Sequence, residues 1–332
     1  MKKLILVVLF LVILTLFIGS APAAKEMNKH FHETFEVQKG DVLHLTHGDG
    51  DVMVVPWNKD MIDVEVHFRA DVERVGIGQE YHFDVDFSQR GNSVYVTEKE
   101  RSGFTIGFSS FKTYEYIYEI KAPEYIRLDL IGDDGDVDVQ GWKQEIECRI
   151  DDGDVFLKNI QANRIRIWGE DGTVEIEDLK ADLSISIDDG DIYLLRCDMP
   201  ECRVEMEDGD TRIQKSSGSF DITSDDGDVI FYQTRADKLY IRANDGDIDL
   251  DLLKSDTLDA DIKTDDGPVK MNLERGFSTS FYAYSDDGRI RIELENIDRF
   301  EDERHAKSGE INGGRGRIRI RTSDGNITMG EK

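Results

Sequence analysis

Residues 183–194 read Leu183-Ser184-Ile185-Ser186-Ile187-Asp188-Asp189-Gly190-Asp191-Ile192-Tyr193-Leu194, and this stretch decides the fold. Apolar and polar residues alternate up to an Asp-Asp-Gly-Asp corner and alternate again after it. Period two with one apolar face is a half-buried strand. The pattern recurs from Leu128 to Ile292, anchored on Gly135, Gly153, Gly172, Gly190, Gly209, Gly227, Gly246, Gly267 and Gly288. The spacings are 18, 19, 18, 19, 18, 19, 21 and 21 residues. A fixed period of about 20 residues marks a repeat architecture.

The columns are consistent. Two residues after the glycine stand Val137, Val155, Val174, Ile192, Thr211, Val229, Ile248, Val269 and Ile290. Five before it stand Leu130, Cys148, Ile167, Ile185, Val204, Ile222, Ile241, Ile262 and Ala283. β-branched residues dominate, as a pleated half-buried surface favours. One such unit cannot bury its apolar face alone, but units stacked about 4.8 Å apart bury every inner face. The expectation is an all-β parallel β-solenoid, β-helix-like, with coils of 18–21 residues and a less regular β-rich N-terminal part.

Two rivals use the same pattern. Asp-Gly is also a hairpin signal, which would give an antiparallel meander. An outer-membrane barrel needs strands of about 9–11 residues with a lipid-facing apolar side. Here the strands are shorter and one face is densely charged, so the solenoid is preferred.

Outward from the repeat, Met1 to Ala24 reads as an export signal. Lys2 and Lys3 precede an apolar run from Leu4 to Ile18, and Ala21-Pro22-Ala23 fits a cleavage site. The run is short for a spanning helix, although an uncleaved leader would serve as a membrane anchor. The chain is strongly acidic, with a formal charge of −29, which excludes nucleic acid as a natural partner. Residues 25–127 are expected to be a β-rich N-terminal part and cap. Gly48-Asp49-Gly50-Asp51 is an outlying corner, and Trp57 and Trp142 share one register after Gly50 and Gly135. Phe104, Phe108, Phe111, Tyr114, Tyr116 and Tyr118 make an aromatic stretch that either covers the open end of the stack or binds a sugar or partner. Residues 128–292 are the regular solenoid. Residues 293–332 are C-terminal coils and cap that lose the strict corner: Gly309 follows Gly288 by 21 residues but stands between Ser308 and Glu310, Gly325 closes the series, and Arg315, Arg317, Arg319 and Arg321 line one strand face.

With a leader, Gly50-Asp51-Val52-Met53-Val54 with Trp57, Lys121-Ala122-Pro123 entering Leu128, and then Asp134-Gly135-Asp136-Val137 and its repeats, the chain resembles the adhesin-like family of bacterial cell-envelope β-solenoid proteins, a family whose function is undefined. The resemblance implies a Gly-Asp-Val/Ile solenoid and brings no catalytic residues. This chain departs from it in the density of Asp before each glycine.

The corners stack carboxylates. Two like charges about 4.8 Å apart repel by about 0.9 kcal/mol in bulk water and several-fold more at lower dielectric. Turn chemistry, raised carboxyl pKa values and loose counterions are one way to absorb this. Ca²⁺ held between successive corners is the other, since it takes 6–8 oxygens. The candidate ligands are Asp133, Asp134, Asp136, Asp151, Asp152, Asp154, Asp188, Asp189, Asp191, Asp225, Asp226 and Asp228; no other cofactor is expected.

Six of the seven histidines precede residue 83, but their spacings match no zinc pattern, and they read as solvated or satisfied strand residues. Cys148, Cys197 and Cys202 fall at inward positions, which makes buried thiols the default and leaves a Cys197–Cys202 bridge open. The acids recur in every unit, as structure does, whereas glycosidase carboxylates form one local pair. The reading is therefore a non-enzymatic, exported adhesin-like or scaffold solenoid, periplasmic, cell-surface or secreted. The alternative is a calcium-stabilised carbohydrate-binding or carbohydrate-cleaving β-helix. The partner is left open between an envelope protein and a glycan.

Overall fold

The computed structural model describes residues 23–78, 82–101, 105–255 and 257–332, and every regular element among them is a strand. Of the expected leader, only Ala23 and Ala24 lie within the described residues; they begin a strand, Ala23–Glu36.

The repeat stacks in parallel. Ile146, Cys148 and Asp152 lie between Leu128, Leu130 and Asp134 on one side and Ile165, Ile167 and Asp171 on the other. After the corner, Val155 lies between Val137 and Val174. Strands before the corners thus form one parallel row and strands after them a second. The columns of alternate residues turn inward to a single core running the length of the stack, including Leu130, Cys148, Ile167, Ile185, Val204 and Ile222. The meander is excluded for the repeat, because antiparallel pairing occurs only towards the two ends among the described strands.

At both ends one coil is placed out of sequence. Near the N-terminus, Val42–Thr46 is inserted between Ser93–Arg101 and Arg127–Asp134. Its companion Asp51–Pro56 is inserted between Thr105–Ala122 and Val137–Gln140. Near the C-terminus, Gly316–Thr322 slots between Asp259–Thr264 and Thr279–Ser285. Ile327–Glu331 slots between Val269–Leu273 and Ile290–Glu293. Gly325 therefore does not close the glycine series; it sits between Gly267 and Gly288. Gly309 is not a corner either, but lies in Ala306–Ile311, antiparallel to Thr279–Ser285. The last strands in sequence are thereby held on both edges, where a terminal coil would otherwise fray.

Antiparallel strands then cover the raw edges of the stack. Met61–Gly78 and Ala23–Glu36 extend one row, and His82–Arg90 extends the other. Tyr116 and Tyr118 from the aromatic stretch are buried here beside Phe68 and Phe83, whose rings stack 4.3 Å apart. Phe104 and the side chains of Phe108, Phe111 and Tyr114 lie outside the described residues.

Candidate functional site

Each corner is built by its glycine. Gly190 has φ +144°, and a Cβ there would lie 1.9 Å from the carbonyl oxygen of Gly172. The backbones of successive corners approach too closely for any side chain, so glycine is required by the coil beneath as well as by the turn. That approach brings the acids into register. Asp152 lies between Asp134 and Asp171, Asp189 between Asp171 and Asp208, and Asp226 next to Asp208.

The three acidic rows do different work. In the row after the glycine, the carboxylate accepts a main-chain N–H from the next coil. Asp136 Oδ1 takes the N–H of Asp154 at 3.0 Å, and Asp154 Oδ1 takes that of Thr173 at 2.8 Å. Asp191 and Asp210 do the same for Asp210 and Asp228, at 2.9 Å each, and Asp228 for Asp247 at 2.8 Å. Pro268 has no N–H to continue the series. The motif resumes at Asn326, whose Oδ1 takes the N–H of Arg289 at 2.8 Å.

The row immediately before the glycine has no such occupation in common. Desolvation raises the carboxyl pKa of Asp134, and the charges of Asp49, Asp152 and Asp133 raise it further. Asp189 is raised by desolvation and by Asp208 and Asp171. Asp324 is raised by desolvation and by Asp266 and Asp287, its neighbours because of the inserted coil. These are the effects expected of like charges stacked with too little counter-charge. In the outermost row Asp225 is relieved by the Asn244 amide, which donates to it at 3.0 Å.

The twelve candidate calcium ligands therefore stand in columns. Among the described residues, however, no three side chains of those columns bring ligand atoms within 4.8 Å of one another. Any ion between corners would have to combine carboxylates with main-chain carbonyls.

The opposite corner carries features the repeat pattern did not reveal. Gly141, Asn159, Asp178, Arg196, Lys215 and Gln233 all have positive φ, each six residues after a corner glycine. Arg196 forks onto Asp178 at 2.7 and 2.9 Å and also bonds Glu177, which Lys158 meets at 2.6 Å. The Lys158 and Arg196 contacts hold the Glu177 carboxyl below its ordinary value, and Arg196 does the same for Asp178. Small hydroxyls brace the acidic corners from inside towards the C-terminal end. Thr264 Oγ1 donates to the Asp266 carbonyl at 2.6 Å, Thr322 Oγ1 accepts the Gly325 N–H at 2.9 Å, and Ser285 Oγ accepts the Gly288 N–H at 2.8 Å. The sequence signal was present: a hydroxyl three residues before the glycine.

The remaining candidates find structural partners. Cys148, Cys197 and Cys202 are buried free thiols, and burial pushes Cys197 up to about 11 and Cys148 up to about 12. Arg317 makes a two-pronged pair with Asp259 at 3.0 Å on both prongs, while Arg319 and Arg321 meet Asp261 at 3.6 and 2.8 Å. A groove of about 480 Å³ crosses the strands before the corners and is lined by Arg164, Arg166, Arg203 and Lys238 with acids between them. Arg166 is paired with Glu147, and Arg203 meets Asp221 at 3.3 Å.

The family described as Toastrack DUF4097 matches residues 43–229 and, again, residues 182–329. No curated protein matches the chain. A solved candidate adhesin of Bacteroides fragilis NCTC 9343 is 12% identical, with a match covering 94% of this chain and 100% of that one at a TM-score of 0.35. A solved candidate cell adhesion protein of Clostridium sporogenes ATCC 15579 is 10% identical, covering 93% and 100% at a TM-score of 0.23.

Proposed function

This chain belongs to the Toastrack DUF4097 family, and on that premise we propose that it is a non-enzymatic adhesin-like or scaffold element of the cell envelope, exported by its N-terminal leader. One observation carries the reading: the acidic corner recurs coil after coil with stacked carboxylates, instead of being concentrated at one place. Chemistry on a substrate needs one local constellation, whereas an extended row of equivalent groups suits a partner or surface that is itself extended. Fractionating bacterial cells that express the full chain tests the export step. A product found outside the cytoplasm supports the reading. A full-length product confined to the cytosol overturns it.

The acidic columns take Ca²⁺ in this proposal. The support is the stacking of Asp152 between Asp134 and Asp171 and of Asp189 between Asp171 and Asp208, where desolvation and then the neighbouring charges raise the carboxyl pKa of Asp134 and Asp189. The ion would sit between successive corners, using the acids of Asp133–Asp136 and Asp151–Asp154, and likewise Asp188–Asp191 and Asp225–Asp228 with the coils beside them. Millimolar Ca²⁺ is expected to raise the melting temperature by several degrees over EDTA. Identical melting curves in the two solutions remove calcium from the proposal and leave the adhesin reading standing.

A further inference from the structure

Beyond the acidic corners, the N-terminal end of the stack gathers three histidines. Ala23–Glu36 and Met61–Gly78 run antiparallel, with His30 opposite His67, His32 opposite Glu65 and Thr34 opposite Asp63. Val64, Val66 and Phe68 turn into the core and Phe31 packs against it. Alternation then places His30, His32, Asp63, Glu65 and His67 together on the outer face.

His30, Glu65 and His67 each offer a ligand atom within 4.8 Å of the other two. The two imidazole nitrogens lie 3.7 and 3.6 Å from the same carboxylate oxygen. That is too long for a hydrogen bond. Ligands about 2.0–2.1 Å from a tetrahedral zinc ion are separated from one another by about 3.4 Å, so the two nitrogen–oxygen spacings need to contract by only a few tenths of an ångström. The His30 and His67 rings stack 4.5 Å apart and within 11° of parallel, so a turn of one ring about its Cβ–Cγ bond would aim both nitrogens at one ion. The other oxygen of Glu65 faces Lys121 Nζ at 4.0 Å, which leaves Oε2 to the imidazoles. His32 bonds Asp63 at 2.5 Å immediately beside the group.

We propose that His30, Glu65 and His67 form a surface site for a divalent ion of the zinc type, with the fourth position open to water. Two imidazoles and one carboxylate suit borderline ions such as Zn²⁺ and disfavour Ca²⁺ and Mg²⁺, which take oxygen ligands. The site is distinct from the acidic corners in both position and donor chemistry. Both histidines are about half exposed, 51% and 49%, so an ion has direct access.

The test is a calorimetric titration of the full chain with ZnCl₂ in millimolar Ca²⁺, which occupies carboxylate-only sites. One stoichiometric step is expected, at least tenfold weaker in both His67→Gln and His30→Gln, with melting temperatures unchanged because these side chains are exposed. Co²⁺ in place of zinc should give the visible absorption of a tetrahedral ion, lost in the same variants. A wild-type chain without the step overturns the proposal. So does a step that both variants retain in full, which would place the zinc on the acids.

Discussion

The main-chain N–H of Asp228 points at Asp210 Oδ1 on the neighbouring coil, 2.9 Å away. The corner acid is thus part of the hydrogen-bonding between coils, and its charge is incidental to that role. Asn326 performs the same service for Arg289 at 2.8 Å without a charge. Asp210→Asn should therefore be neutral or slightly stabilising, since it keeps the acceptor and removes a repulsion. Asp210→Ala removes the same charge and the acceptor, and should cost about 1 kcal/mol more than the Asn variant. The difference between the two urea midpoints reads the hydrogen bond alone.

Thr211 interrupts a column that is otherwise aliphatic. It is fully buried between Ile192 and Val229, and its Oγ1 has no hydrogen-bond partner. A buried hydroxyl left unpaired costs about 1–3 kcal/mol. Thr211→Val keeps the shape and restores the column, so it should stabilise the protein by about 1–2 kcal/mol. The denaturation midpoint should rise with an unchanged slope.

Lys215 holds φ at +50° in the second corner, where Gly141 and Asn159 occupy equivalent places. A left-handed conformation costs an L-residue about 1–2 kcal/mol. Lys215 is exposed, so its side chain can be removed with little loss of packing. Lys215→Gly should stabilise by about 0.5–1 kcal/mol, the relief being offset in part by glycine's greater freedom when unfolded. Lys215→Ala, which keeps the Cβ, should show almost no gain in the same melt.

The repeat was legible because each coil obeys one local rule: alternation, corner, alternation. Reading Asp152, Asp189 and Asp226 into one column needed only the period. What escaped was whatever depended on partners distant in sequence. The swapped order of Gly325 and Gly288 leaves no trace in spacing, because Gly316–Thr322 has the same alternating pattern whether it is last or next to last. The three histidines His30, His32 and His67 match no zinc spacing, since an antiparallel register between strands assembles them. The left-handed corner was hidden for another reason. Gly141 and Asn159 advertise positive φ, but Arg196, Lys215 and Gln233 in the same position do not. Position in the stack, and not residue type, imposes that conformation.

His47 occupies the column that Gly132 and the corner hydroxyls share. It is 3% exposed, neither ring nitrogen makes a hydrogen bond of ordinary geometry, and its imidazole packs directly over Gly132. Burial lowers its pKa to about 4 from 6.5, although the Gly48 backbone and the Asp51 charge pull the other way. The unfolded chain therefore binds a proton between about pH 6.5 and 4 that the folded chain refuses. Stability rises with pH wherever the unfolded state holds more protons, so the His47 contribution is complete above pH 6.5 and lost as pH falls to about 4, an upper bound of about 3 kcal/mol. The stacked carboxyls work in the opposite sense: Asp134, Asp189 and Asp324 have raised folded values, so acid relieves their repulsion. His47→Leu removes only the first effect. Between pH 7 and 4.5 the variant should lose less stability than the wild type, by about 1–3 kcal/mol in urea unfolding. Parallel pH profiles for the two proteins would show that the His47 ring finds a proton acceptor or water in the folded chain.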